Sequence, residues 1–187
     1  MYHAIPNWLT FSRILVLPVL VASFYIDRSI SHWVAAGLFA FASITDFFDG
    51  YLARRWKSQS SLGRFLDPIA DKLLVVTALM MLVHTSVAMV VPSMLIVCRE
   101  IMVSGLREFL AELNVGVPVS RLAKMKTGMQ MLAIFLLLLG DRGADWQYTE
   151  LVGNLVLWLS AILTLVTGYA YLKAGLLHMS MPENKPE

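Results

Sequence analysis

One cysteine in 187 residues, Cys98, leaves no intramolecular disulfide and no cysteine-based zinc cluster. Inside an apolar run, that thiol is expected to serve as a packing residue. The four histidines, His3, His32, His84 and His178, fall near the ends of apolar runs without helical pairing. They offer no soft-metal site, and no catalytic role is assigned to them. Charge is scarce as well, at 15% of residues. No repeat recurs at a fixed period, and the one biased stretch is the terminal Pro182 to Glu187. A cleavage site of signal-peptide type is missing after the first apolar run, so that run is expected to be retained.

What is present is apolar. Hydrophobic residues make up 58% of the chain, and the mean hydropathy of +0.67 lies far above that of an ordinary soluble domain. The composition predicts an all-α integral membrane protein, a six-transmembrane-helix bundle. Candidate spans run from Trp8 to Tyr25, His32 to Tyr51, Leu62 to Val83, Val87 to Leu106, Leu122 to Leu139 and Val152 to Tyr171. Residues 1–180 are expected to form a single transmembrane catalytic domain, and residues 181–187 a short disordered tail. Lys and Arg gather at two loops on one predicted side: Arg54, Arg55, Lys57 and Arg64, then Arg107, Arg121, Lys124 and Lys126. That side, with both termini, is expected to face the cytoplasm. The cations read as a positive-inside signal and a contact for membrane lipids, and no nucleic-acid partner is expected.

Within this apolar chain stand four acids at helical spacing. Asp46 and Asp49 are three apart, Asp67 and Asp71 four apart, and Gly63 lies four before Asp67. Each set falls on one helix face. Two such faces turned toward each other gather carboxylates that cannot all stay ionised without cations. Hard divalent ions, Mg²⁺ or Mn²⁺, suit an all-carboxylate site.

The run Asp46-Phe-Phe-Asp49-Gly50-Tyr-Leu-Ala53-Arg54, eight residues, then Gly63-Arg-Phe-Leu-Asp67-Pro-Ile-Ala-Asp71 resembles the signature of the CDP-alcohol phosphotransferases. The flanking segments Pro6-Asn7-Trp8-Leu9-Thr10-Phe11-Ser12-Arg13, Arg99-Glu100-Ile101 and Lys124-Met125-Lys126-Thr127 resemble the bacterial branch of that family that makes phosphatidylglycerol phosphate. The resemblance implies a phosphatidyl transfer from CDP-diacylglycerol to glycerol 3-phosphate, in the bacterial cytoplasmic (inner) membrane, by a homodimer carrying two Mg²⁺ or Mn²⁺ ions. It implies that Asp46, Asp49, Asp67 and Asp71 hold the metals and that Asp71 is the general base. Asp46, Asp49, Gly50, Ala53, Arg54 and Gly63 would bind the nucleotide, the small residues letting pyrophosphate approach the backbone and Arg54 donating to phosphate.

An acceptor bearing a phosphate dianion needs a basic subsite near the metals, for which Arg99, Arg107, Arg121, Lys124 and Lys126 are the candidates. Arg99, Val103 and Arg107 share one stripe, and Glu100 is placed to orient an arginine. Lys124 and Lys126, two apart, cannot share a face, and Arg121 with Lys124 forms the better helical pair. Asn7, Thr10 and Arg13 share another face, with Asn7 as a helix cap, and Lys72 is placed to pair with an acid. Two other functions remain open on sequence: the same chemistry with another acceptor (a cardiolipin, phosphatidylserine or phosphatidylinositol phosphate synthase), and a divalent-cation transporter whose acids bind its cargo.

Overall fold

The computed structural model describes the backbone of residues 4–26, 28–56, 61–112 and 121–179, and within it the side chains of residues 12–26, 30–45, 66, 69–111, 122–169 and 171–173. The chain forms six helices: α1 Ala4–Ser23, α2 Arg28–Trp56, α3 Ser61–His84, α4 Val90–Glu112, α5 Arg121–Ala144 and α6 Thr149–Met179. They coincide with the six expected apolar runs. The helices overrun those runs where polar residues continue the helical pattern, as at the far ends of α2, α4 and α6. At about 1.5 Å per residue, α2 and α6 are roughly 45 Å long, beyond the ~30 Å of a hydrocarbon core. The 181–187 tail lies outside the described residues.

The helices alternate in direction. α5 packs on α6 and α2, α6 on α4, and α1 against both α2 and α3. The core they share holds the fully buried Leu20, Phe39, Leu74, Leu79, Leu82, Ile96, Ile134, Leu137 and Leu157, interleaved with buried alanines such as Ala36, Ala78, Ala133 and Ala161. Small residues permit close helix approach where lipid gives no solvophobic drive between helices. Gly153 is the tightest instance, since an added Cβ would lie 2.8 Å from Leu137 Cδ2 and Cγ.

Outside this core, every helix exposes large apolar side chains, among them Leu15, Phe41, Met80, Ile101, Leu132 and Leu155. Among the described residues, two helical stretches, Leu122–Ala144 and Thr149–Lys173, are long and apolar enough to cross a membrane. Ser12–Ser23 and Ile30–Thr45 are the apolar stretches within the described parts of α1 and α2. The apolar run of α4 is interrupted by Arg99, Glu100 and Arg107.

Short turns at one end fix the alternation. Ser86 adopts φ 61° between α3 and α4, and Asn154 of α6 clasps that turn, accepting from Met89 N at 2.9 Å and donating to Val87 O at 2.9 Å. Pro92 sits in the first turn of α4, where a missing N–H costs no helical bond. The helical run of α5 breaks at Gly140 (φ 62°), beside His32 and Glu150, and Glu150 N then donates to Asp141 Oδ1 at 2.8 Å to start α6. Cys98 departs from its expected packing role. It is exposed on α4, because the register that buries Ile96 and Arg99 turns position 98 outward.

Candidate active site

The opposite end of the bundle gathers the C-terminal half of α2, the N-terminal halves of α3 and α5, and the C-terminal halves of α4 and α6. The acidic signature lies on this end, with Asp46 and Asp49 on α2 and Asp67 and Asp71 on α3. The side chains of Asp46, Asp49, Gly50, Ala53, Arg54, Gly63, Asp67 and Arg121 lie outside the described residues.

A cavity of about 520 Å³ opens here, between α3, α4, α5 and α6. Its wall includes Asp71 and Lys72 from α3, Arg99, Glu100 and Arg107 from α4, Lys126 and Gln130 from α5, and Tyr171 from α6. Arg99, Val103 and Arg107 all reach it, as their spacing of four predicts for one stripe.

Three polar clusters organise this wall. In the first, Arg13 of α1 donates from Nη1 to Asp71 Oδ1 at 3.0 Å. In the second, Lys72 Nζ donates to Ser104 Oγ, whose hydroxyl donates to Glu108 Oε1 at 3.3 Å. The acid expected beside Lys72 is thus reached through a hydroxyl, one helix away. In the third, Glu100 Oε1 accepts from Arg99 Nη1 at 3.1 Å and from Lys126 Nζ. Arg99 Nη2 also donates to Thr167 Oγ1 at 3.2 Å. Gly168 leaves room for this crossing, since a Cβ there would stand 3.1 Å from Arg99 Cγ.

The charge balance is uneven. Arg99 and Lys126, 9% and 2% exposed, share a single carboxylate. Arg107 lies 6.0 Å over the ring of Tyr171, a cation–π contact that leaves its charge uncompensated, and no carboxylate pairs with it among the described residues. Two positive charges in excess, in a recess partly shielded from water, suit a phosphate dianion.

Of the expected acceptor-phosphate residues, Arg99, Arg107 and Lys126 therefore line one cavity. Lys124 does not: it is exposed on another face of α5, which is the geometric consequence of standing two residues from Lys126. Spacing favours the Arg121 and Lys124 pair, of which Lys124 stands outside the cavity, and it assigns Arg13 no role toward Asp71. Gln130 is a further lining residue that spacing alone does not single out, although Lys126 and Gln130 share a face at spacing four. For Arg13 the sequence carried no signal, since its partner lies on another helix.

Among the described residues no three His, Cys, Asp or Glu side chains converge as a metal site. The CDP-alcohol phosphatidyltransferase family matches residues 3–166. The chain is 51% identical to the CDP-diacylglycerol--glycerol-3-phosphate 3-phosphatidyltransferase of Rickettsia felis, covering 91% of this chain and 94% of that one. Proteins of the same name from Pseudomonas fluorescens and Cereibacter sphaeroides are 40% and 38% identical, covering 97% and 94% of this chain and 94% and 97% of their own lengths.

Proposed function

The chain belongs to the CDP-alcohol phosphatidyltransferase family, and from that premise we propose that it transfers the phosphatidyl group of CDP-diacylglycerol to glycerol 3-phosphate, giving phosphatidylglycerol phosphate and CMP. The observation that carries the acceptor assignment is the excess of positive charge around Glu100, from Arg99, Lys126 and Arg107, in a cavity that Asp71 also lines. A phosphate-bearing acceptor placed on those cations keeps its free end toward α3.

In this reading, the hydroxyl oxygen of the acceptor attacks the phosphatidyl phosphorus, the bond from that phosphorus to the CMP oxygen breaks, and the hydroxyl proton passes to Asp71. Arg13, bonded to Asp71, orients that carboxylate. Asp46, Asp49, Gly50, Ala53, Arg54 and Gly63 take the nucleotide.

Four carboxylates on two neighbouring helices form an all-oxygen donor set of the kind Mg²⁺ and Mn²⁺ prefer, and Asp71, its described member, is 39% exposed toward the cavity. Asp46, Asp49, Asp67 and Asp71 would hold two such ions, which would neutralise charge on the pyrophosphate and the leaving CMP.

The six helices are proposed to span the cytoplasmic membrane of a bacterium as a homodimer, with the site and both termini facing the cytoplasm. The apolar side chains exposed on all six support the membrane setting, and the Lys and Arg excess at the site end supports the orientation.

The test is CMP release by detergent-purified protein from CDP-diacylglycerol with Mg²⁺ or Mn²⁺, comparing glycerol 3-phosphate with serine, inositol phosphate and phosphatidylglycerol. Release with glycerol 3-phosphate alone is expected, and Asp67→Asn should abolish it in a folded protein. Release driven by a different acceptor would move the substrate assignment. Metal-ion flux into proteoliposomes with no release from any acceptor would favour transport.

A further inference from the structure

Gln130 is 2% exposed and lines the cavity one helical turn beyond Lys126 on α5. Its Oε1 has no hydrogen-bond partner among the described residues. Most neighbouring polar groups are already engaged, Lys126 and Arg99 Nη1 on Glu100, Lys72 through Ser104 to Glu108, and Arg107 on Tyr171, while Arg99 Nε and Thr164 Oγ1 are, like Gln130 Oε1, buried without a partner among the described residues. Native proteins nearly always supply a donor to a buried acceptor.

The chemistry of that donor is restricted. With its amide oriented this way Gln130 presents a carbonyl oxygen, which only accepts, so it repels a phosphate dianion and needs an O–H or N–H. Residues at spacing four on a helix sit about 6 Å apart, which matches the reach from a phosphate held at Lys126 to a hydroxyl on the adjoining carbons. Glycerol 3-phosphate has two hydroxyls. The primary one attacks phosphorus and gives its proton to Asp71, which leaves the secondary hydroxyl free to donate.

We infer that Gln130 reads the secondary hydroxyl of the acceptor through its side-chain carbonyl, making it a specificity residue that selects a glycerol phosphate over acceptors lacking that hydroxyl. The inference rests on glycerol 3-phosphate being the acceptor.

The experiment compares kcat/KM for glycerol 3-phosphate and for 3-hydroxypropyl phosphate, which keeps the phosphate and the attacking hydroxyl and lacks only the secondary one. A site built to bond a hydroxyl rejects the analogue without it, so wild-type protein should prefer glycerol 3-phosphate by about tenfold or more. In Gln130→Met the preference should collapse to near one, chiefly by loss of rate with glycerol 3-phosphate, and in Gln130→Asn it should fall between the two. Because both acceptors are measured on one preparation, a reduced folded fraction cancels from the ratio. A wild-type-like preference in Gln130→Met, no preference in wild-type protein, or an effect confined to KM for CDP-diacylglycerol would overturn the inference. Wild-type protein that releases no CMP with glycerol 3-phosphate would instead overturn the functional reading beneath it.

Discussion

Arg13 on α1 and Asp71 on α3 form an ion pair, Nη1 to Oδ1 at 3.0 Å, with the guanidinium side chain 2% exposed and the carboxylate 39%. The pair joins the first helix to the residue proposed to accept the hydroxyl proton. A buried arginine fork holds a carboxylate in one orientation more firmly than a lysine point charge does. Arg13→Met should lower kcat by about a hundredfold, the scale on which small misplacements of a reacting group act, with KM for glycerol 3-phosphate little changed. Arg13→Lys should recover part of the loss. Steady-state kinetics of both variants check this, and a change in KM alone would remove Arg13 from the positioning of Asp71.

Lys126 and Lys124 provide an internal contrast on one helix. Lys126 is buried against Glu100 in the cavity, whereas Lys124 is exposed outside it. Lys126→Met should raise KM for glycerol 3-phosphate by about tenfold or more, as expected for loss of a charge-assisted contact to phosphate. Lys124→Met should raise it far less. Acceptor titrations at saturating CDP-diacylglycerol decide the matter, and the reverse order of effects would place the phosphate on another face of α5.

The contrast also shows what one-dimensional pattern can carry. The six helices were legible because apolar runs and polar punctuation are properties of consecutive residues, and the same pattern placed the acids at 46 and 49 on α2 and those at 67 and 71 on α3. The Arg99 and Arg107 stripe was visible for the same reason. Which of Lys124 and Lys126 faces inward was not, because that depends on how α5 is rotated against α4 and α6. Glu100 selects Lys126 only once the two helices are packed. The Arg13 to Asp71 pair, 58 residues apart, is likewise a product of packing.

Two glycines on α6 should respond differently to the same change. At Gly168 an added Cβ would stand 3.1 Å from Arg99 Cγ, pressing on the arginine that crosses to Thr167. Gly168→Ala should therefore raise KM for glycerol 3-phosphate severalfold with a small effect on melting. At Gly153, far from the cavity, the Cβ would lie 2.8 Å from Leu137 Cδ2 and Cγ and 3.4 Å from Leu137 N. Overpacking of this kind costs about 1–3 kcal/mol, so Gly153→Ala should lower the melting temperature in detergent while leaving KM near wild type. Equal effects of the two on KM would show that Gly168 serves only helix packing.

Glu100 presents the sharpest electrostatic case, since one carboxylate, 23% exposed, answers both Arg99 and Lys126. Glu100→Gln preserves the volume and removes the charge, leaving two cations largely out of water with no anion between them. Breaking a buried pair from one side costs more than the pair contributes, about 3 kcal/mol or more, so the variant should melt well below wild type. An anion that binds the folded state offsets such a loss by mass action. Inorganic phosphate should therefore raise the melting temperature of Glu100→Gln more than that of wild-type protein, because in the variant it also replaces the missing negative charge. Glu100→Gln should lose turnover as well, since the carboxylate that aims Arg99 and Lys126 is gone. Melting curves with and without phosphate, set against the same concentrations of sodium chloride, separate this from general screening. A phosphate shift no larger in the variant than in wild-type protein would mean that the anion subsite is not built on this cluster.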